Sequence, residues 1–245
     1  MAIETEGIIL KAKEFKESDL MITLFSRKLG KISVIAKGAK RVKSTFLPGT
    51  QPFSYGKYYL QKTGNFYSLR SCELIKSYFE LSKDIVSLAY ASYIAELTEH
   101  VLVVNEGNNR LFQLLGISLE LFLKYPDKIE YITTIFQLKL MIYLGYKPEV
   151  LKCVICGNIE LEKGRFSYIE GGMICTGCQA NHKGLKIDPS TVSLMEYIMK
   201  NPVQDVARAK VSPILVKELS KILKYYMGNH LDSMNLKSLK FLESL

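Results

Sequence analysis

The stretch Lys31-Ile-Ser-Val-Ile-Ala-Lys37 alternates with period two: Ile32, Val34 and Ala36 fall on one face, and Lys31, Ser33 and Lys37 on the other. Successive side chains of a β-strand point to opposite faces, so this is a half-buried strand with a basic outer face. Working outward, the same alternation fits residues 7–13, 20–26, 55–62 and 66–75, with turn residues at Leu29-Gly30, Pro48-Gly49 and Gly64-Asn65. Five short strands within residues 1–80 point to a small closed β-barrel of the OB type. An SH3-like barrel would leave much the same trace.

From Ser82 onward the period changes to that of helices. Ser82 is placed to cap a helix reaching to about Val104, and further helices fit 108–124 and 128–145. Each is apolar around most of its circumference, as in the centre of a bundle. Asp188-Pro189 opens another helix, with a capping side chain and a proline at its first position, and Asn201-Pro202 stops it. Ser212-Pro213 repeats that start, with Gly228 as the stop. In this last helix Leu215, Leu219, Ile222 and Tyr226 form an apolar stripe, while Lys217, Lys221 and Lys224 lie on another face. The predicted class is α+β: a five-stranded OB-type barrel over 1–80, then an α-helical domain over 81–245 with an insertion at about 150–182.

That insertion holds the strongest chemical signal in the chain. Cys153-Val-Ile-Cys156 and Cys175-Thr-Gly-Cys178 are two C-x-x-C pairs separated by eighteen residues, the spacing of a four-thiolate zinc site. Between them, 165–169 and 173–175 read as short strands joined at Gly171-Gly172, so the whole forms a zinc ribbon. Four thiolates close a tetrahedral ion completely and leave no position for an activated water, which makes the one expected Zn2+ structural. The alternatives are a redox dithiol, which does not explain two pairs, and a disulfide, which needs an oxidising compartment. His182 could replace one cysteine but reads more simply as a loop residue. The fifth cysteine, Cys72, alternates with apolar neighbours and reads as a small core residue.

Composition bounds the functional classes. The 245 residues are 48% hydrophobic, enough for real cores. No signal peptide is visible in residues 1–10, and apolar runs are too short to span a bilayer. Zinc-spaced cysteines without a secretion signal point to the cytoplasm. Of the net charge of +9, residues 1–80 carry +7, from fourteen Lys or Arg against seven Asp or Glu. A localised basic surface attracts polyanions, and nucleic acid is the common one in cytoplasm. Phosphate-loop, nucleophile-elbow and H-E-x-x-H signatures are all missing, and His100, His182 and His230 lack metal-ligand spacing. Glu17 with Asp19 reads as a turn and a solvated edge, not a catalytic carboxylate pair. The expectation is a binding protein and not an enzyme.

The densest basic cluster, Lys37-Gly-Ala-Lys40-Arg41-Val-Lys43-Ser44, leaves the third strand. On an OB barrel the face of strands two and three, with the adjoining loops, receives oligonucleotides. Lys37, Lys40, Arg41 and Lys43 would neutralise phosphates, Gly38 would permit close backbone approach, and Ser44 could add a hydrogen bond. Of the aromatic residues Phe46, Phe53, Tyr55, Tyr58, Tyr59, Phe66 and Tyr67, most must fill the core of so small a barrel, leaving one or two to meet a base.

With these residues in view the chain resembles the RecO family of bacterial DNA repair proteins. The resemblance is carried by Gly7-Ile-Ile-Leu10, Glu17-Ser18-Asp19, Leu24-Phe-Ser26 with Gly30, and Ala36-Lys-Gly-Ala-Lys40 with Lys43-Ser44. Gln51-Pro-Phe53, the two cysteine pairs and Leu236-Lys-Ser-Leu-Lys-Phe-Leu242 complete it. It implies an N-terminal OB fold, a helical C-terminal domain and a zinc-binding insertion. It also implies a cytoplasmic, nucleoid-associated mediator of DNA repair and recombination. Such a mediator binds single- and double-stranded DNA, anneals complementary strands and, with RecR, helps load RecA onto DNA coated by single-strand-binding protein (SSB). The acidic, apolar tail of SSB would then meet the Lys217, Lys221 and Lys224 face. Two other readings remain open: a nucleic-acid-modifying enzyme, which needs a cofactor pocket, and a zinc-ribbon scaffold for protein partners such as a transcription accessory factor.

Overall fold

The computed structural model describes residues 2–232 and 234–245, and by packing it divides into two compact units. The first comprises residues 1–129 with 236–245, and the second residues 130–235.

In the first unit, strands β1 (Ala2–Glu14), β2 (Leu20–Ser26), β3 (Gly30–Ala36), β4 (Ser54–Thr63) and β5 (Phe66–Ser77) close a barrel in the order β1-β2-β3-β5-β4. All pairings are antiparallel except β3 with β5, which meet in parallel at Val34–Tyr67 and Ile35–Ser68. That order and the parallel closure identify the OB fold. The alternation seen in the sequence sets the register: Ile22, Leu24, Ile32, Val34, Tyr58 and Leu60 fill the interior, each at most 2% exposed. Each such side chain contributes roughly 1.5–3 kcal/mol by leaving water. Register shifts after Ile9 on β1 and along β4–β5 bend the strands so that so small a sheet can close.

Helices α1 (Ile85–Val101) and α2 (Asn109–Lys124) belong to the same unit and cover part of the barrel's outside. A Cβ built on Gly116 of α2 would stand 3.7 Å from Ile8 Cδ1, and Phe112 meets Phe25 edge-to-face at 5.3 Å between ring centres. Asp84 caps α1 by accepting the Ser87 amide at 2.8 Å, not Ser82, which sits in a short 3-10 turn over Phe79–Lys83. Asp84 stands next to the first helical residue and carries the charge that suits a helix N-terminus. α1 ends at Val101, and Val104 instead bridges β3 at Lys31.

The second unit holds most of α3 (Ile129–Tyr143), then β6 (Arg165–Ser167), β7 (Gly172–Ile174), β8 (Leu185–Lys186), α4 (Pro189–Lys200), α5 (Val203–Arg208) and α6 (Pro213–His230). Asp188 and Ser212 cap α4 and α6 by accepting the amides of Ser190 and Ile214. Gly228 does not stop α6, which continues to His230, because nothing at that position needs a left-handed turn. The third ribbon strand β8 pairs with β6, and α5 follows Pro202; both are too short to leave a period in the sequence. The final helix, α7 (Lys237–Leu242), returns to the first unit.

Candidate nucleic-acid interface and metal centre

The metal-binding geometry is assembled by the ribbon. The β6–β7 hairpin carries Cys175 just past β7, while the loop before β6 folds back so that the Val154 amide donates to Met173 O at 2.9 Å. The Sγ atoms of Cys153, Cys156, Cys175 and Cys178 all lie within 4.8 Å of one another, with 3.6 Å between Cys156 and Cys175. A tetrahedral ion with metal–sulfur bonds of about 2.3 Å spaces its sulfurs about 3.8 Å apart, so the set fits one metal ion. Cys153 and Cys175 are buried while Cys156 is exposed.

The electrostatics of the thiols agree. Burial pushes the Cys153 thiol up, but the backbone amides of Cys156, Cys175 and Ile155 outweigh it and hold the thiol at about 6. The neighbouring Cys156 sulfur, with burial, pushes Cys178 up to about 12. Four thiolates this close would repel one another, and a divalent cation among them removes that conflict. Gly157 takes a left-handed φ of 76° and donates its amide to Cys153 O, closing the first turn. His182 does not replace a cysteine: the ligand atoms that come together are the four sulfurs, and the His182 Nδ1 lies 3.0 Å from Glu170 Oε1. Cys72 is half-buried against the barrel core, and Gly49 packs directly on it, since a Cβ there would come within 2.6 Å of its sulfur.

The ribbon is anchored to the helices of its own unit. Phe166 on β6 is fully buried and meets Tyr226 of α6 edge-to-face at 5.6 Å. Tyr226 in turn donates its hydroxyl to Tyr146 O and packs on the His230 ring. This pairing explains why Phe166 and Tyr226 are aromatic.

The basic cluster forms one exposed loop. Lys37, Lys40, Arg41 and Lys43 are exposed and Ser44 half-buried, and Val42 between the cations is 95% exposed. Gly38 stands at φ 69° and gives its amide to Asp19 Oδ1 at 2.8 Å, while the Lys40 amide donates to Ser18 O. Asp19 therefore ties the β1–β2 turn to the basic loop and is more than a solvated edge. Lys40 Nζ pairs with Glu14 at 2.8 Å, so one cation of the cluster is partly neutralised. Ser44 Oγ accepts the Phe46 amide and keeps its own hydrogen for donation.

Beside this loop the strand pairings align side chains in rows on the barrel's outer surface. Lys13, Met21, Ile35 and Ser68 form one row across β1, β2, β3 and β5, and Lys11, Thr23 and Ser33 the next. Lys13 is exposed and Lys11 half-buried. Neither stands in the dense basic cluster, yet Leu10-Lys-Ala-Lys13 repeats the alternation that singles out residues 31–37 and is the signal that would find them. Of the aromatics, Phe53, Tyr58 and Tyr67 are buried, while Phe66 at the β4–β5 turn is 43% exposed. Phe15, in the β1–β2 turn, is 45% exposed under Lys16, whose Nζ lies 5.8 Å from the ring centre.

Lys217, Lys221 and Lys224 are all exposed on α6. Ile214 and Tyr225, 77% and 46% exposed, share the helical spacing of Lys217 and Lys221, so this face mixes cations with apolar area. Among the described residues no helix is long and apolar enough to cross a membrane.

Comparison with known proteins covers both halves of the chain. Residues 1–78 match the family model described as Recombination protein O N terminal, and residues 82–240 that described as Recombination protein O C terminal. The chain is similar to the DNA repair protein RecO of Alkaliphilus metalliredigens, 40% identical over 246 residues and covering 100% of both chains. It is also similar to that of Acetivibrio thermocellus, 33% identical with 99% of this chain and 97% of the relative covered, and to that of a Thermoanaerobacter species, 34% identical with 99% and 98% covered.

Proposed function

This chain belongs to the RecO family of DNA repair proteins, and from that premise we propose that it binds single- and double-stranded DNA on the barrel and anneals complementary strands. The observation that carries the proposal is the continuity of one surface. The loop of Lys37, Lys40, Arg41, Lys43 and Ser44 is hydrogen-bonded to the β1–β2 turn and adjoins the outer row that begins at Lys13. Annealing of this kind requires no bond to be made or broken by the protein. Cations lower the repulsion between two phosphate backbones, and apolar tips such as Phe15 and Phe66 offer faces on which a base can stack.

Family membership supports a role in DNA repair and recombination in the cytoplasm, at the nucleoid. With RecR, the protein would promote RecA loading on DNA coated by SSB. The acidic, apolar tail of SSB would dock where Lys217, Lys221 and Lys224 lie with Ile214 and Tyr225 on α6; their charge and apolar area complement such a tail. The four cysteines would hold a single Zn2+. Thiolates favour it, and a closed set of four supplies folding energy without leaving a position for water.

The deciding experiment is a fluorescence-anisotropy titration of a labelled single-stranded oligonucleotide with wild type and with Lys37→Ala/Lys40→Ala/Arg41→Ala at two salt concentrations. Binding that falls steeply with salt and weakens strongly in the triple variant supports the proposal. Folded wild type that does not bind even at low salt overturns it and favours the partner-scaffold reading.

A further inference from the structure

β3 and β5 pair only at Val34–Tyr67 and Ile35–Ser68, and on the side of Gly30 the two strands part. The segment after α1 takes up the free edge of β3: Lys31 and Val104 form a parallel bridge, and the Asn105 amide donates to Lys31 O at 3.3 Å. Between these borders lies a hollow of about 210 Å³. Its floor is Ile32 and Tyr67, Val104 forms an apolar wall, and Thr23, Ser33, Asn65, Glu99 and Asn105 supply polar groups. Thr23 and Ser33 are a cross-strand pair, so the hollow opens on the same outer surface as the Lys11 and Lys13 rows.

The lining selects a class of ligand. A phosphate site needs cations or converging amides. Here the Lys31 ammonium is engaged with Glu99 O at 2.7 Å, and Glu99, an acidic residue, is itself part of the lining. Anions are therefore disfavoured. What suits the hollow is a flat, neutral heterocycle with hydrogen-bonding edges, held between the Tyr67 floor and the Val104 wall and met by carboxamides, hydroxyls and a carboxylate. At about 210 Å³ it is smaller than the roughly 300–1,000 Å³ of pockets that enclose drug-sized ligands, which leaves space for one heterocycle without its sugar and phosphate.

We propose that this hollow between β3, β5 and residues 104–105 receives a single unstacked nucleobase, and that Glu99, an acceptor only, favours bases carrying an exocyclic amine over thymine while Asn65 adds a hydrogen bond to either. The inference rests on the DNA-binding reading above and adds a base-reading subsite to a surface otherwise built for phosphates. Carboxylate acceptors take the N4 amine of cytosine, which thymine replaces by an acceptor.

Oligo-dC and oligo-dT of equal length, titrated by anisotropy, test it. Wild type should prefer dC by about fivefold or more. The preference should shrink in Glu99→Gln, affinity for both oligonucleotides should fall in Asn65→Ala, and the preference should disappear in Ser33→Trp, which fills the hollow from an exposed strand position. Circular dichroism establishes that each variant is folded, and the two milder changes keep the test valid if Ser33→Trp is not. Equal, salt-dependent binding of dC and dT by wild type overturns the base subsite while leaving DNA binding intact, as does a preference that survives both Glu99→Gln and Ser33→Trp. Absence of any binding by wild type at low salt overturns the subsite together with the reading beneath it.

Discussion

The Glu96 carboxylate on α1 serves as the N-terminal cap of α7, accepting the Ser238 amide at 2.8 Å, the Ser238 hydroxyl, and the Lys237 amide at 3.4 Å. The residue at the cap position of α7, Leu236, has no side chain able to do this. A helix of six residues cannot sustain itself, so a side chain 142 positions earlier in the chain supplies what its own sequence lacks.

Glu96→Gln keeps an acceptor but removes the charge, and should therefore destabilise the first unit by about 0.3–1 kcal/mol, the usual worth of an anion at a helix N-terminus, read as a lower thermal midpoint at neutral pH. The effect has a definite pH dependence. Burial raises the carboxyl's pKa, but the hydrogen bonds from Ser238 and Lys237 outweigh it, and the net shift is downward from 4.5. On acidification the unfolded carboxyl takes up its proton first, so the contribution is present above about 4.5 and lost as the pH falls through the lower folded value. The difference between wild type and Glu96→Gln should narrow from pH 6 toward pH 3. A gap that stays constant over that interval would rule out the ionised cap.

Metal removal should loosen the ribbon. Its metal-side cluster is only Cys153, Ile174 and Cys175, with Val154, Leu161 and Cys178 partly buried around them, too few apolar groups to hold a hairpin alone. Zinc binding is worth on the order of 10–16 kcal/mol in zinc-finger peptides. Chelation, or Cys153→Ser, is expected to expose residues 147–186 to proteases and to lower solubility, with one zinc per chain before treatment by elemental measurement. Unchanged protease resistance after verified metal loss would refute a structural role.

Phe166→Ala separates docking of the ribbon from its metal. The side chain is fully buried against Tyr226, and its truncation should cost about 3–5 kcal/mol. Its described ring partner is Tyr226 and not a sulfur, so metal content should remain at one ion per chain while the denaturation midpoint falls. Parallel loss of metal and stability would show instead that the ribbon and its helical support fold as a single step.

What is legible in the chain, and what is not, follows from the range of the forces involved. Alternation at Ile32, Val34 and Ala36 reports a strand because burial acts on every second side chain, and the two C-x-x-C pairs report a metal site because coordination geometry fixes their spacing. The barrel and the cysteine cluster are readable for those reasons. The start of α1, read from Ser82, is off by two residues because Asp84 is the side chain that the fold brings to the Ser87 amide. α7 shows in the sequence only as a motif of the resembled family, since its cap comes from Glu96. The hollow beside Ser33 depends on Val104 bridging Lys31, a pairing between segments more than seventy residues apart that no local pattern announces.

Lys139 gives a prediction for the interior of the second unit. This residue is 7% exposed, and its ammonium donates to Met199 O at 3.2 Å and Asn201 O at 2.8 Å, at the C-terminus of α4. Cations suit that end of a helix, where carbonyls lack partners. Lys139→Met keeps most of the packing and removes both hydrogen bonds, so it should cost about 1–3 kcal/mol in urea denaturation. A change within a few tenths of a kcal/mol would mean that water reaches those carbonyls.

The ion pair between Lys40 and Glu14 yields an opposite prediction, a substitution that improves binding. Lys40 is the less exposed partner of a surface pair at 2.8 Å, with side-chain exposures of 31% and 77%. Surface pairs of this kind are worth about 0–1 kcal/mol, so releasing Lys40 is cheap. Glu14→Gln removes a negative charge beside the basic loop and frees an ammonium for phosphate, and should tighten oligonucleotide binding at low salt by up to about fivefold. The log–log salt slope should steepen by about 0.7, the increment for one further phosphate neutralised on a single strand. Lys37→Ala/Arg41→Ala should flatten the same slope by about 1.4, because two phosphates then keep their counterions, at about 0.7 each. The two results must move in opposite directions if DNA lies on this loop. A Glu14→Gln protein whose affinity and salt slope match wild type would place the phosphates elsewhere on the barrel, with the outer row that begins at Lys13 as the next surface to substitute.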